Sequence, residues 1–138
     1  MHPYLRALGI GVVAGCRTFT APAATLQAGD NVWAGLAMLA AAGEYVIDKL
    51  PTTPSRLEIA PLAARIVAGG LCGGTLAARN DASRVGGMLA GALGAASAAW
   101  IGAHARGFLT RRGWPDWPGA LAEDAIAIRL AWLVNRAM

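Results

Sequence analysis

The sequence predicts an all-α integral membrane bundle of about four spans, with a first span that is kinked or broken and a C-terminal helix that is embedded or interfacial. Three observations lead there. Charged residues make up only 14% of the chain and hydrophobic residues 56%, where a soluble domain carries about 25% charge. Long Gly- and Ala-rich apolar stretches alternate with short polar turns, several of them containing proline. The net charge of +4 is spread as arginines between the apolar stretches, without a basic run or interleaved aromatics. That scatter argues against a nucleic-acid surface and suits contact with a bilayer and its anionic lipid headgroups. The 138 residues make one transmembrane domain, 1–138.

Segment one runs from about Ala7 to Gly29. Unbroken, it would rise about 34 Å, enough to span. Arg17 interrupts it, and Pro22 removes a backbone donor and disfavours helix at Ala21. A kink or break is therefore expected around Thr18–Pro22, with Thr18 and Thr20 bonding the freed backbone groups. Because Arg17 also interrupts the N-terminal apolar run, this segment is expected to be retained rather than cleaved as a signal peptide.

Segment two covers Val32 to Leu50 and stops at Pro51. Glu44 and Asp48 stand one turn apart on it and share a face. Pro51 and Pro54 stiffen the turn Pro51-Thr52-Thr53-Pro54-Ser55-Arg56. Segment three covers Ile59 to Ala78, with Pro61 suited to a first helical turn and Arg65 one turn inside. Segment four, Val85 to Ala103, is free of charge throughout and is the cleanest span in the chain. Trp114-Pro115-Asp116-Trp117-Pro118 reads as an interfacial turn, since Trp prefers headgroup level. The last segment, Gly119 to Met138, holds Glu123 and Asp124 early, where acidic side chains favour a helix N-terminus.

Four spans place Arg6, Lys49, Arg56, Arg106, Arg111 and Arg112 at one face and Arg79 and Arg84 at the other. The positive-inside bias then puts both the N-terminus and the 49–56 loop in the cytoplasm. Small residues at helical spacing, among them Gly11/Gly15, Gly70/Gly74 and Gly87, Gly91, Ala95, let helices approach closely in lipid. They serve either packing within the chain or a homo-oligomer joined through Gly87, Gly91 and Ala95.

Arg17 is the most telling residue, because a charge near mid-membrane costs at least about 2.5–3.5 kcal/mol and has to face a partner or a polar cavity. Glu44 and Asp48 are the candidate partners. With Lys49, Arg56 and Arg65 they form the candidate ligand- or ion-binding set, open to a bland reading as ion pairs and headgroup contacts. Glu123 and Asp124 are secondary candidates. No metal-ligand spacing, catalytic motif or cofactor fingerprint occurs. No metal or cofactor is therefore expected. Cys16 and Cys72 read as buried thiols.

Three motifs together, Gly15-x-Arg17…Pro22, Gly43-Glu44-x-x-x-Asp48-Lys49-Leu50-Pro51-x-x-Pro54-x-Arg56 and Ala122-Glu123-Asp124, resemble an uncharacterised bacterial membrane protein family catalogued as domain of unknown function number 4126. The resemblance covers nearly the whole chain, and the middle motif is its specific part. It implies a small helical inner-membrane protein and singles out Arg17, Pro22, Glu44, Asp48, Lys49, Pro51, Pro54, Arg56, Glu123 and Asp124. It implies no activity. The leading expectation is a transport-type or channel-like protein with an ionic site. A membrane enzyme or lipid-handling protein acting on phosphorylated headgroups, and a structural subunit, are the alternatives.

Overall fold

The computed structural model describes residues 2–26, 37, 39–40, 42–43 and 59–136. These are helical throughout apart from short turns, and no strand occurs among them. The helices are α1 (Pro3–Cys16), α2 (Thr20–Leu26), α3 (Ile59–Ala78), α4 (Arg84–Arg111) and α5 (Trp117–Arg136). By length and apolar composition, α3 and α4 are each sufficient to cross a membrane.

Local signals account for the helix ends. Pro3 opens α1, where its missing N–H is not needed. Ser83 caps α4 by accepting a hydrogen bond from the Gly86 amide. At the other end of α4, Gly113 has φ +76°. The Gly113 amide bonds the Thr110 carbonyl and the Trp114 amide bonds the Leu109 carbonyl, a Schellman stop that a side chain at Gly113 would strain.

Three helices make the centre. α3 and α4 are antiparallel, and α1 lies across both. Along this seam, glycine faces backbone. A Cβ on Gly69 would sit 2.8 Å from the Gly91 carbonyl oxygen and 2.8 Å from Ala95 Cβ, and one on Gly91 would drive into the Gly69 carbonyl. Gly11 and Gly15 of α1 press the same way on the carbonyls of Gly91 and Ala95. Gly87, Gly91 and Ala95, expected as a possible homo-oligomer seam, are thus occupied inside the chain.

The distribution of sizes is inverted relative to a water-soluble core. The largest fully buried side chains are only Ile10, Leu76 and Val13, and the rest of the buried cluster is mostly Ala. Leu71, Leu89, Leu93, Trp100, Ile101 and Ile128 all point outward. Small residues inside and bulky apolar residues outside is the arrangement expected where close backbone contact, not exclusion of water, holds helices together.

Segment one is broken. α1 stops at Cys16, Arg17 is extended, and α2 starts at Thr20. Arg6 bonds Asn80 and Arg65 bonds Gly15, so α1 is antiparallel to α3. Thr18 and Phe19 share a cavity with Ala64 and Ala68, whereas the Thr25 carbonyl is reached by Arg79, so α2 runs parallel to α3. The chain therefore turns back between α1 and α2.

That reversal corrects the expected sidedness. Counting segment one as a full crossing put the N-terminus at the end where α3 begins. Arg6 instead bonds Asn80, and Tyr4 lies against Gly86, so the N-terminus sits by the turn between α3 and α4. The 49–56 loop lies outside the described residues. Two further expectations change. Pro22 is the third residue of α2, not the break itself. Glu123 and Asp124 lie in the second turn of α5, which already starts at Trp117, so they do not serve its N-terminus.

α5 runs antiparallel to α1, with Val134 near Gly9 and Asp124 at Arg17. It buries Ala127, Ala131 and Val134 and packs on α1 and α2, but hardly on α4.

The seam yields a graded expectation. Gly91→Ala should destabilise the purified protein by about 1–3 kcal/mol through overpacking. Gly107→Ala, whose Cβ would meet only a distal arginine atom at 3.7 Å, should be neutral or stabilising by up to about 1 kcal/mol. Denaturant unfolding of both variants checks this, and equal midpoints would refute the close approach.

Candidate functional site

A helix that ends inside a bundle leaves its last carbonyls without helical partners, and buried carbonyls need donors. α1 ends this way, and the donor comes from α3. Arg65, 4% exposed, donates Nη1–H to the Gly15 carbonyl at 2.7 Å. α2 is capped in kind, with Arg79 Nη1 donating to the Thr25 carbonyl at 2.9 Å. Both cations also sit at the negative ends of their helices. Of the two threonines expected in this role, Thr18 and Thr20, Thr20 does not take it. The Thr20 hydroxyl is buried and makes no hydrogen bond among the described residues, while Thr25 bonds back to Ala21 within its own helix.

Arg17 occupies the break and is 2% exposed. Its guanidinium forms an ion pair with Asp124 of α5, with Nε donating to Oδ1 at 2.7 Å and Nη2 directed at the same oxygen. Glu44 and Asp48, the partners expected from sequence, lie outside the described residues, as do Lys49, Pro51, Pro54 and Arg56. Arg65 bonds the α1 carbonyl because the α1–α3 seam brings Gly15 within its reach.

Beside Arg17 lies a second pair. Arg106 of α4 donates Nε to Glu123 Oε1 at 3.1 Å and Nη2 to Oε2 at 2.8 Å, and its Nη1 lies 4.0 Å from Asp116 Oδ2. This fork is bidentate and only partly exposed. Adjacent residues of α5, Glu123 and Asp124, thus take one arginine each from α4 and from the break.

Arg17, Arg106, Asp116 and Asp124, with Trp117, Ala120 and Leu121, line a cavity of about 370 Å³. Its charges run from buried Arg17 outward to Asp116, which is mostly exposed. Such a cavity presents both signs of charge, which suits a small ion or a polar solute. Asp124 was only a secondary candidate from sequence, and Arg106, Asp116 and Trp117 were not site candidates. Arg17 and Asp124 are 107 residues apart, so no spacing rule joins them. Each stood as a charge in a mainly apolar stretch, and the family resemblance singled out both without pairing them.

No protein-family model, curated protein or solved structure matches this chain.

Breaking one side of the inner pair should be costly. Arg17→Met or Asp124→Leu alone should destabilise by about 3–5 kcal/mol, because the other charge stays buried, and the double variant should recover much of that loss. Glu123→Gln, at the more exposed fork, should cost about 1 kcal/mol or less. Unfolding of the three variants and the double variant measures the coupling, and strict additivity would exclude the pair.

Proposed function

We propose that this chain is a multi-pass protein of the bacterial inner membrane with a transport-type or channel-like function, acting on a small ionic solute at Arg17. The observation that carries the reading is the break in segment one at a buried, paired guanidinium beside a polar cavity. Non-helical backbone at membrane depth is stable only when protein or an aqueous cavity surrounds it, and discontinuous helices are the common means of building an ion or substrate site there. The membrane setting is supported by the length and apolar composition of α3 and α4, and by large apolar side chains facing outward over a Gly/Ala interior. The resemblance to the domain of unknown function number 4126 family agrees with this setting.

In this reading α1 and α2 form a re-entrant pair that enters from the face of the α3–α4 turn and returns to it. α3 and α4 cross. Arg106, Arg111 and Arg112 mark the opposite face. The positive-inside bias then makes that face cytoplasmic and leaves the N-terminus outside. α5 packs along the re-entrant pair and supplies Asp124, so the ionic site lies between the pair and α5, reached from the cytoplasmic side past Asp116.

Two measurements test this. Single cysteines at Ser83 and Pro115, in a chain with Cys16 and Cys72 replaced by Ala, should react with an impermeant thiol reagent from opposite sides of the membrane, and a tag at His2 should report with Ser83. Liposomes holding the protein should pass protons, potassium or chloride, read with ion-sensitive dyes. Asp124→Asn should cut the flux by about tenfold or more, the scale of one lost charge-assisted bond. Flux no greater than in protein-free liposomes for all three ions would reject the transport reading. Labelling of both cysteines from one side would reject the topology.

A further inference from the structure

A second cavity lies on the other side of Arg106. Where α4 and α5 diverge, a groove of about 400 Å³ runs between them, almost wholly apolar. Its floor is small, formed by Ala98, Gly102 and Gly119, and Ile101, Leu109 and Ile126 form its walls. From Ala98 to Leu109 it follows α4 for about 16 Å. The Arg106–Glu123 fork lies along it, Leu109 and Gly119 meet at one end, and just beyond that end α4 finishes with Arg111 and Arg112. Both are exposed, Arg111 held by the Gly107 carbonyl at 3.1 Å and Arg112 stacked 4.4 Å from the centre of the Phe108 ring. Trp114 and Trp117 flank the same end and are also exposed.

We infer that this groove holds one acyl chain of an anionic phospholipid, with the headgroup phosphate at Arg111 and Arg112. The occupant follows from the shape and charge of the site. The groove is long, narrow and apolar, so it takes a hydrocarbon chain. Its charged end is a cluster of arginines, donors suited to a phosphate. The Trp pair gives that end the amphipathic lining typical of headgroup level. A water-soluble anion would leave the apolar length unfilled, and a neutral hydrocarbon would leave the arginines unused. The bound lipid would bridge α4 and α5, which otherwise touch little, and would hold Glu123 and Asp124 against their arginines. The inference rests on the membrane reading above and extends it from the bilayer as a medium to one lipid at one place.

Native mass spectrometry of the full chain released from detergent micelles, titrated with dioleoyl phosphatidylglycerol or dioleoyl phosphatidylcholine, tests it. Phosphatidylglycerol should bind about tenfold more tightly, the scale of two surface arginines acting on one anionic headgroup. Arg111→Gln with Arg112→Gln should abolish that preference. Ala105→Leu with Ala122→Leu, which fill the groove from its exposed side, should weaken binding of both lipids by about tenfold, the scale of a few methylenes displaced. Unchanged unfolding of these variants in lipid-free micelles shows that they are folded. Equal binding of the two lipids, or binding indifferent to the groove substitutions, would overturn the lipid site while leaving the membrane reading intact. Recovery of the protein from cells without detergent would overturn both.

Discussion

α1 ends within this bundle and α2 ends beside the turn after α3, and the carbonyls they expose have no helical partner and must be bonded from elsewhere. Arg65 of α3 and Arg79 of the turn that follows it meet that requirement at the ends of α1 and α2. An arginine is well suited to it, since the guanidinium offers several donors and carries the charge that opposes the negative end of a helix. Without these bonds the return of the chain between α1 and α2 would leave unsatisfied polar backbone in an apolar interior. The break at Arg17, the sidedness of the N-terminus and the position of the polar cavity all follow from that return.

The Gly/Ala seam makes the capping possible. Arg65 reaches the Gly15 carbonyl only because α1 lies nearly in backbone contact with α3 and α4, through Gly11, Gly69 and Gly91. Larger residues there would move α1 outward and carry its last carbonyls away from the guanidinium. Packing and polar satisfaction are therefore one arrangement in this protein. The same economy explains the thin apolar core, since the bulky side chains are needed on the outside.

α5 differs from the other long helices. It is fixed to the bundle by small alanine contacts on α1 and α2 and by two charged attachments, Asp124 to Arg17 and Glu123 to Arg106. Adjacent acidic residues on one helix thereby tie together the break, α4 and the connection after α4. The polar cavity and the apolar groove meet at Arg106, which lines both. A change at either would be felt at the other through that one side chain.

Patterns local in the chain were readable from residues alone. The absence of charge from Val85 to Ala103 marks α4, Ile59 to Ala78 is recovered as α3 to the residue, and an arginine followed by Pro22 predicts a break in segment one. These depend on composition and spacing within one or two turns, which the sequence carries explicitly. What the tertiary structure decided were the directions and partners. Whether a broken segment continues onward or turns back depends on which neighbour satisfies its freed carbonyls, and that neighbour, Arg65, stands 50 residues away from Gly15. Asp124 became the mate of Arg17, and Gly91 the contact of Gly69, for the same reason. An ion pair or a backbone contact between distant helices is settled by how the helices pack, and no periodicity in the chain records it.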